Sequence, residues 1–192
     1  MKHHITPRLK QVAETAGHVV RTRPAELALA FLLVFSFAAT ALAAGMGSKK
    51  VTLTNENPSA SSVGYTFTIN PATTGTSIKR IEFQVGTTQG GTTDPTGMTT
   101  TGAAVGTVSG LSGTWSGSFG SNGLLSISNA TGSTPTNPVS VQFTGITNSS
   151  VTGTYYFRIT TYDATSGGSQ IDQADVAFPI ADSTVNVTAS VN

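Results

Sequence analysis

Among residues 44–192, the side chains best suited by type to chemistry are seven carboxylates: Glu56, Glu82, Asp94, Asp163, Asp172, Asp175 and Asp182. Two acids flanking one bond can hydrolyse a glycoside. The spacing gives that reading no support. Glu56 and Glu82 are the only glutamates of residues 44–192, and Glu82 stands between Ile81 and Phe83, as a solvated charge on the polar face of a strand would. The aspartates lie in or near turn sequences, and Ca²⁺ draws several oxygens from loops. None of them forms the D-x-[DN]-x-[DN]-G spacing, so a structural calcium rests on composition alone and no metal ligand is assigned. The Ser/Gly-rich segment 109–123 invites a search for a nucleophile, yet no window reads Gly-x-Ser-x-Gly. It reads as a hairpin-forming segment.

All three histidines (His3, His4, His18) precede residue 27, and the chain has no cysteine. Residues 44–192 therefore cannot build a Ser-His-Asp triad, a Cys-His pair or a zinc site of the usual type. An enzyme is not expected, and no cofactor is.

The histidines lie in what reads as an address. Residues 27–43 are an uncharged apolar run behind a basic leader (Lys2, Arg8, Lys10, Arg21, Arg23 against Glu14 and Glu26) and end in small residues. That is the shape of a secretory signal peptide over 1–43, cut between Ala43 and Ala44 after Ala41-Leu42-Ala43. The alternative is an uncleaved helix over 27–47, since about 20 apolar residues span a bilayer. The expected product is one domain, 44–192, secreted or at the cell surface, and membrane-bound only through 27–47 if uncut.

Five cations against seven acids leave that domain near neutral. It has no field for nucleic acid, which needs clustered Lys and Arg. Apolar and polar residues alternate at Val51–Thr54, Tyr65–Ile69, Arg80–Val85, Val139–Thr144 and Tyr155–Thr160, with turn residues between. Further short runs fall at Val105–Val108, Trp115–Phe119, Leu124–Ser128, Val176–Ile180 and Val185–Val191. Period two at this density predicts an all-β, antiparallel, two-sheet sandwich.

The segment Gly153-Thr-Tyr155-Tyr-Phe157 resembles the approach to the F strand of immunoglobulin-like and fibronectin-III-like domains of exported bacterial surface proteins. The resemblance implies that the Tyr155 hydroxyl bonds back to its own corner. It further implies that Phe157, Phe67 and Phe83 take the places of the two core cysteines and the buried tryptophan. It implies no activity.

Candidate binding residues are aromatic. Trp115, the only tryptophan, and Phe119 stand at even spacing across Gly117. They face either the core of a glycine-rich strand or a partner, and the scarcity of other large residues favours the core. Tyr156, Arg158 and Tyr162 share the face of their strand opposite Phe157. Lys50 with Asn186 or Asn192 could form an isopeptide cross-link, and Asn129, Asn148 and Asn186 open N-x-[ST] sequons.

The expected function is a non-enzymatic structural or adhesive module that meets a cell-surface protein or glycan through loops 86–103 and 109–123. The alternatives are a filament subunit retaining 27–47 as a packing helix and, further off, a carboxylate glycosidase or carbohydrate-binding domain.

Overall fold

Alternating β-branched and aromatic residues place one side of each strand against the other sheet, and the strands follow those runs closely. In the computed structural model, which describes residues 44–120 and 123–182, ten strands occur: β1 (Ala44–Gly45), β2 (Lys49–Leu53), β3 (Val63–Ile69), β4 (Ile78–Gly86), β5 (Ala104–Ser109), β6 (Ser116–Phe119), β7 (Leu124–Ser133), β8 (Val139–Ile146), β9 (Gly153–Tyr162) and β10 (Gln170–Ile180). They make a six-stranded sheet, β1-β10-β9-β4-β7-β6, and a four-stranded sheet, β2-β3-β8-β5. Every pairing is antiparallel except that of β1 with β10. No helix occurs among the described residues.

The core is aromatic. Phe67 on β3 meets Phe83 on β4 with ring centroids 4.5 Å apart and Phe157 on β9 at 4.8 Å, edge to face. Phe143, Phe178 and Tyr65 extend the cluster. All six side chains are almost fully buried. Edge-to-face and tilted pairs contribute about 0.5–1.5 kcal/mol each beyond area burial. That suits a domain with no disulfide.

The described residues begin in a strand. Ala44 and Gly45 pair with Asp172 and Gln173, and Met46 is buried in the core. Gly47 N donates to Asn70 O at 2.9 Å, and residues 44–47 are not helical, while the rest of the segment 27–47 lies outside the described residues. The signal region itself, Ala43 included, lies outside the described residues, as does the expected strand at Val185–Val191. The chain divides into two units between Leu42 and Ala43.

The order of β5 could not be read from alternation. It precedes β6 and β7 in sequence but lies in the opposite sheet, beside β8. Asp172 sits where the β9–β10 register shifts. The irregularity turns its carboxylate inward, where it accepts hydrogen bonds from the Thr73 amide (3.2 Å) and hydroxyl (2.8 Å).

Candidate functional site

Strand β9 lies between β10 and β4, near the middle of the larger sheet. Its odd positions, Tyr155, Phe157 and Ile159, are buried. Its even positions, Tyr156, Arg158, Thr160 and Tyr162, form a row on the outer face, about 6.6 Å from one to the next. The three residues singled out from the sequence are thus brought onto one surface.

Each has distinct neighbours. Tyr156 stands opposite Gly86 and Ala177, and the backbone of the turn at Thr88 and Gly91 packs against Gly86. Arg158 stands between Gln84 and Asp175, with Nε 3.9 Å from Asp175 Oδ1. Tyr162 faces Arg80, whose guanidinium lies 4.1 Å from the ring centroid. The same guanidinium donates to the carbonyls of Gly167 (3.0 Å) and Thr165 (3.4 Å), and its Nε lies 3.3 Å from Glu82 Oε1. Burial, followed by the Glu82 charge and hydrogen bond, pushes the Tyr162 hydroxyl above its ordinary pKa. The phenol is the neutral donor at physiological pH.

This row joins residues that sequence reasoning did not connect. Arg80, Glu82 and Asp175 alternate with apolar neighbours, which marks them as outward-facing. Alternation does not say which strands lie side by side, so their union with Tyr162 and Arg158 was not legible. The two cations are matched by two acids, and the face carries no excess charge to attract a polyanion.

Trp115 is not displayed. It is 7% exposed, and its indole N–H donates to Ser112 O at 3.1 Å. Phe119 is half-buried and packs edge to face on Phe143 at 6.0 Å. Gly117, paired with Ile127, supplies the gap between them: a Cβ there would collide with the Phe119 ring and with Val105 Cγ2.

Both long loops are tied down. In 86–103, Thr96 O accepts from Ser149 Oγ (3.0 Å) and Ser150 N (2.8 Å), Thr99 bridges Thr147, and the buried Thr100 hydroxyl donates to Gly120 O at 2.6 Å. In 109–123, Gly110 O accepts from Thr136 N at 2.8 Å, and Ser112 N donates to Ser133 Oγ at 2.8 Å.

Gly153 is exposed at the head of β9, while the Tyr155 hydroxyl donates to Val151 O at 2.8 Å and contacts Ser149 Oγ at 2.9 Å. Asn148 of the second sequon is fully buried, with Nδ2 donating to Asn55 O and Asn57 O at 2.9 Å each, so a glycan cannot be carried there in the folded domain. Asn129 turns Oδ1 toward the amides of Thr131 and Gly132. Lys50 is exposed on β2, and Asn186 and Asn192 lie outside the described residues.

The carboxylates are dispersed. Glu82 is held by Arg80, Asp175 by Arg158 and Asp172 by Thr73, while Asp163 accepts from Ser169 N at 2.7 Å within its own turn. Among the described residues, no group of three or more His, Cys, Asp or Glu is placed to hold a metal ion. What the outer face offers is an arrangement of aromatic rings, guanidinium groups and amides, with the turn at Gly90 close against the Arg158 guanidinium. It can stack on and hydrogen-bond to a partner. No protein-family model matches the chain, and no curated protein matches it.

Proposed function

We propose that residues 44–192 are an exported, non-enzymatic surface module of immunoglobulin-like build, structural or adhesive in role. Its partner would be a cell-surface protein or glycan. The observation that carries the reading is the row Tyr156–Arg158–Tyr162 on a broad sheet face. Its rings and cations are half-exposed and held in place, whereas both long loops are engaged in holding the sandwich together. Aromatic and arginine side chains are the common anchors of protein interfaces. The Phe67–Phe157 contact between sheets and the Tyr155–Val151 bond support the immunoglobulin-like resemblance. The place of β5 departs from it.

The test is a binding screen of the exported chain against intact cells, extracellular proteins and glycans. The double variant Tyr156→Ala/Tyr162→Ala is expected to lose about tenfold or more in affinity, as the loss of two anchors of ~1 kcal/mol or more each would give. Glycan turnover, abolished by Glu82→Gln, would replace this reading with an enzyme.

A filament subunit is the second reading. It is favoured by the outer edge of β2, which no other strand covers among the described residues.

A further inference from the structure

The edge of β2 that no described strand covers lies near the place where the chain leaves the described fold. Met46 N donates to Gln173 O at 3.4 Å at one end of the sandwich, and Ala181 N donates to Glu56 O at 2.9 Å at the other. Residues 46–56 and 173–181 therefore run in the same direction, side by side. Ala44 enters at one pole, and Asp182 leaves at the opposite pole.

At the exit pole a shallow groove is lined by Leu53, Thr54, Asn55, Glu56, Ala181 and Asp182. The edge strand below it is incompletely covered. Val51 and Leu53 turn toward the core yet remain half-exposed, because among the described residues β2 has a strand neighbour on one side only. Such an edge has unpaired N–H and C=O groups along its length and accepts an extended chain by β-augmentation.

The ten residues after Asp182 have the pattern of a strand that fits there. Val185, Val187, Ala189 and Val191 alternate with Asn186, Thr188, Ser190 and Asn192. At about 3.3 Å per residue, ten residues reach about 33 Å, twice the length of a five-residue edge.

We infer that residues 183–192 add as a strand to the β2 edge of a second copy of this chain, joining copies head to tail. Two observations select the second copy over the chain's own edge. To reach its own β2, the segment must reverse direction at once, and Ala181-Asp182-Ser183-Thr184 contains none of the Asn-Gly, Asp-Gly or Gly-Gly pairs that tight hairpins favour. Leaving straight, it meets the entry pole of the next copy, where the exposed Lys49 and Lys50 begin β2 and the exposed Asp182 supplies the opposite charge. The added strand runs parallel to β2. Its apolar residues complete the cover over Val51 and Leu53, and its polar residues join Thr52 and Thr54 outside. The interface deepens the filament reading and rests on it. It does not involve the tyrosine row.

The absence of cysteine makes the test direct. In the full chain, purified as it accumulates, Thr54→Cys combined with Asn186→Cys is expected to give disulfide-linked dimers and higher ladders on non-reducing gels, while either single variant gives at most dimers. A disulfide confined to single chains would show the segment folding back on its own edge and would overturn the proposal. Without cysteines, the full chain is expected to assemble with concentration. Val187→Asp, Lys50→Glu and deletion of 183–192 should each raise the concentration needed at least tenfold, with the strand signal in circular dichroism unchanged. Lys50→Glu should recover on combination with Asp182→Lys. Assembly that survives deletion of 183–192 would overturn this interface and leave the filament reading standing, whereas absence of any assembly would remove both.

Discussion

The Tyr65 hydroxyl donates to Asn148 Oδ1 at 2.6 Å, a buried bond between residues 83 apart in sequence. It ties β3 to the β8–β9 connection, and Asn148 carries the tie onward to the carbonyls of Asn55 and Asn57. One amide thus satisfies three buried or half-buried groups at the pole where the chain leaves the sandwich.

Removing either partner leaves a polar atom buried without a mate, at a cost of about 1–3 kcal/mol. Tyr65→Phe is expected to fall in that range. Asn148→Ala should cost more, because two backbone acceptors lose their donor as well. Urea midpoints of the two variants against the parent check the order, and equal midpoints would refute it.

Burial also pushes the Tyr65 hydroxyl far above the ordinary phenol range. The folded pKa exceeds the unfolded value of about 10, so the stability tied to this proton is fully present below about pH 10. It is lost as pH rises beyond that value, because only the unfolded chain releases the proton readily. Stability should decline above about pH 10, and Tyr65→Phe should flatten the decline. Tyrosinate absorbance should show one phenol that ionises only as the protein unfolds.

Gly110 has φ = +77°, and a Cβ there would strike the carbonyl oxygens of Pro138 and Thr136. Gly110→Ala is expected to cost about 1–3 kcal/mol through backbone strain, with the clash added. Thermal unfolding checks it. A neutral effect would mean that the 109–123 segment is not fixed by the Gly110–Thr136 bond.

Trp115 should report on the core. Its emission is expected to be blue-shifted and poorly quenched by acrylamide, and to stay so when a partner binds the Tyr156–Tyr162 face. Trp115→Ala should destabilise by about 3–5 kcal/mol, as large-to-small core changes do. Strong quenching in the folded protein would show the ring to be displayed.

Much of the architecture was legible because burial alternates with strand period. Tyr65, Phe67 and Ile69, then Ile81, Phe83 and Val85, are buried as their alternation with Thr and charged residues predicts. The first half of β10, Gln170–Ala174, was not legible. It is polar, it contains the register shift at Asp172, and its pairing is dictated by β9 and β1 rather than by its own pattern. The site was half legible. Tyr156, Arg158 and Tyr162 share a strand, so their common face followed from parity. Arg80, Glu82 and Asp175 lie on other strands and joined them only when β4 and β10 took their places on either side of β9.

The sequence by itself determined the strand-forming character of residues 44–182, the inward face of most strands and the absence of histidine and cysteine from the domain. These are local properties, set by the period of two along an extended backbone and by composition. Only the tertiary structure decided that β5 crosses to the smaller sheet, that Trp115 is buried beside Gly117, that Asn148 is a buried junction and that β2 is the edge strand of the smaller sheet among the described residues. Those outcomes depend on which surfaces of distant segments fit together, and no local pattern encodes that fit.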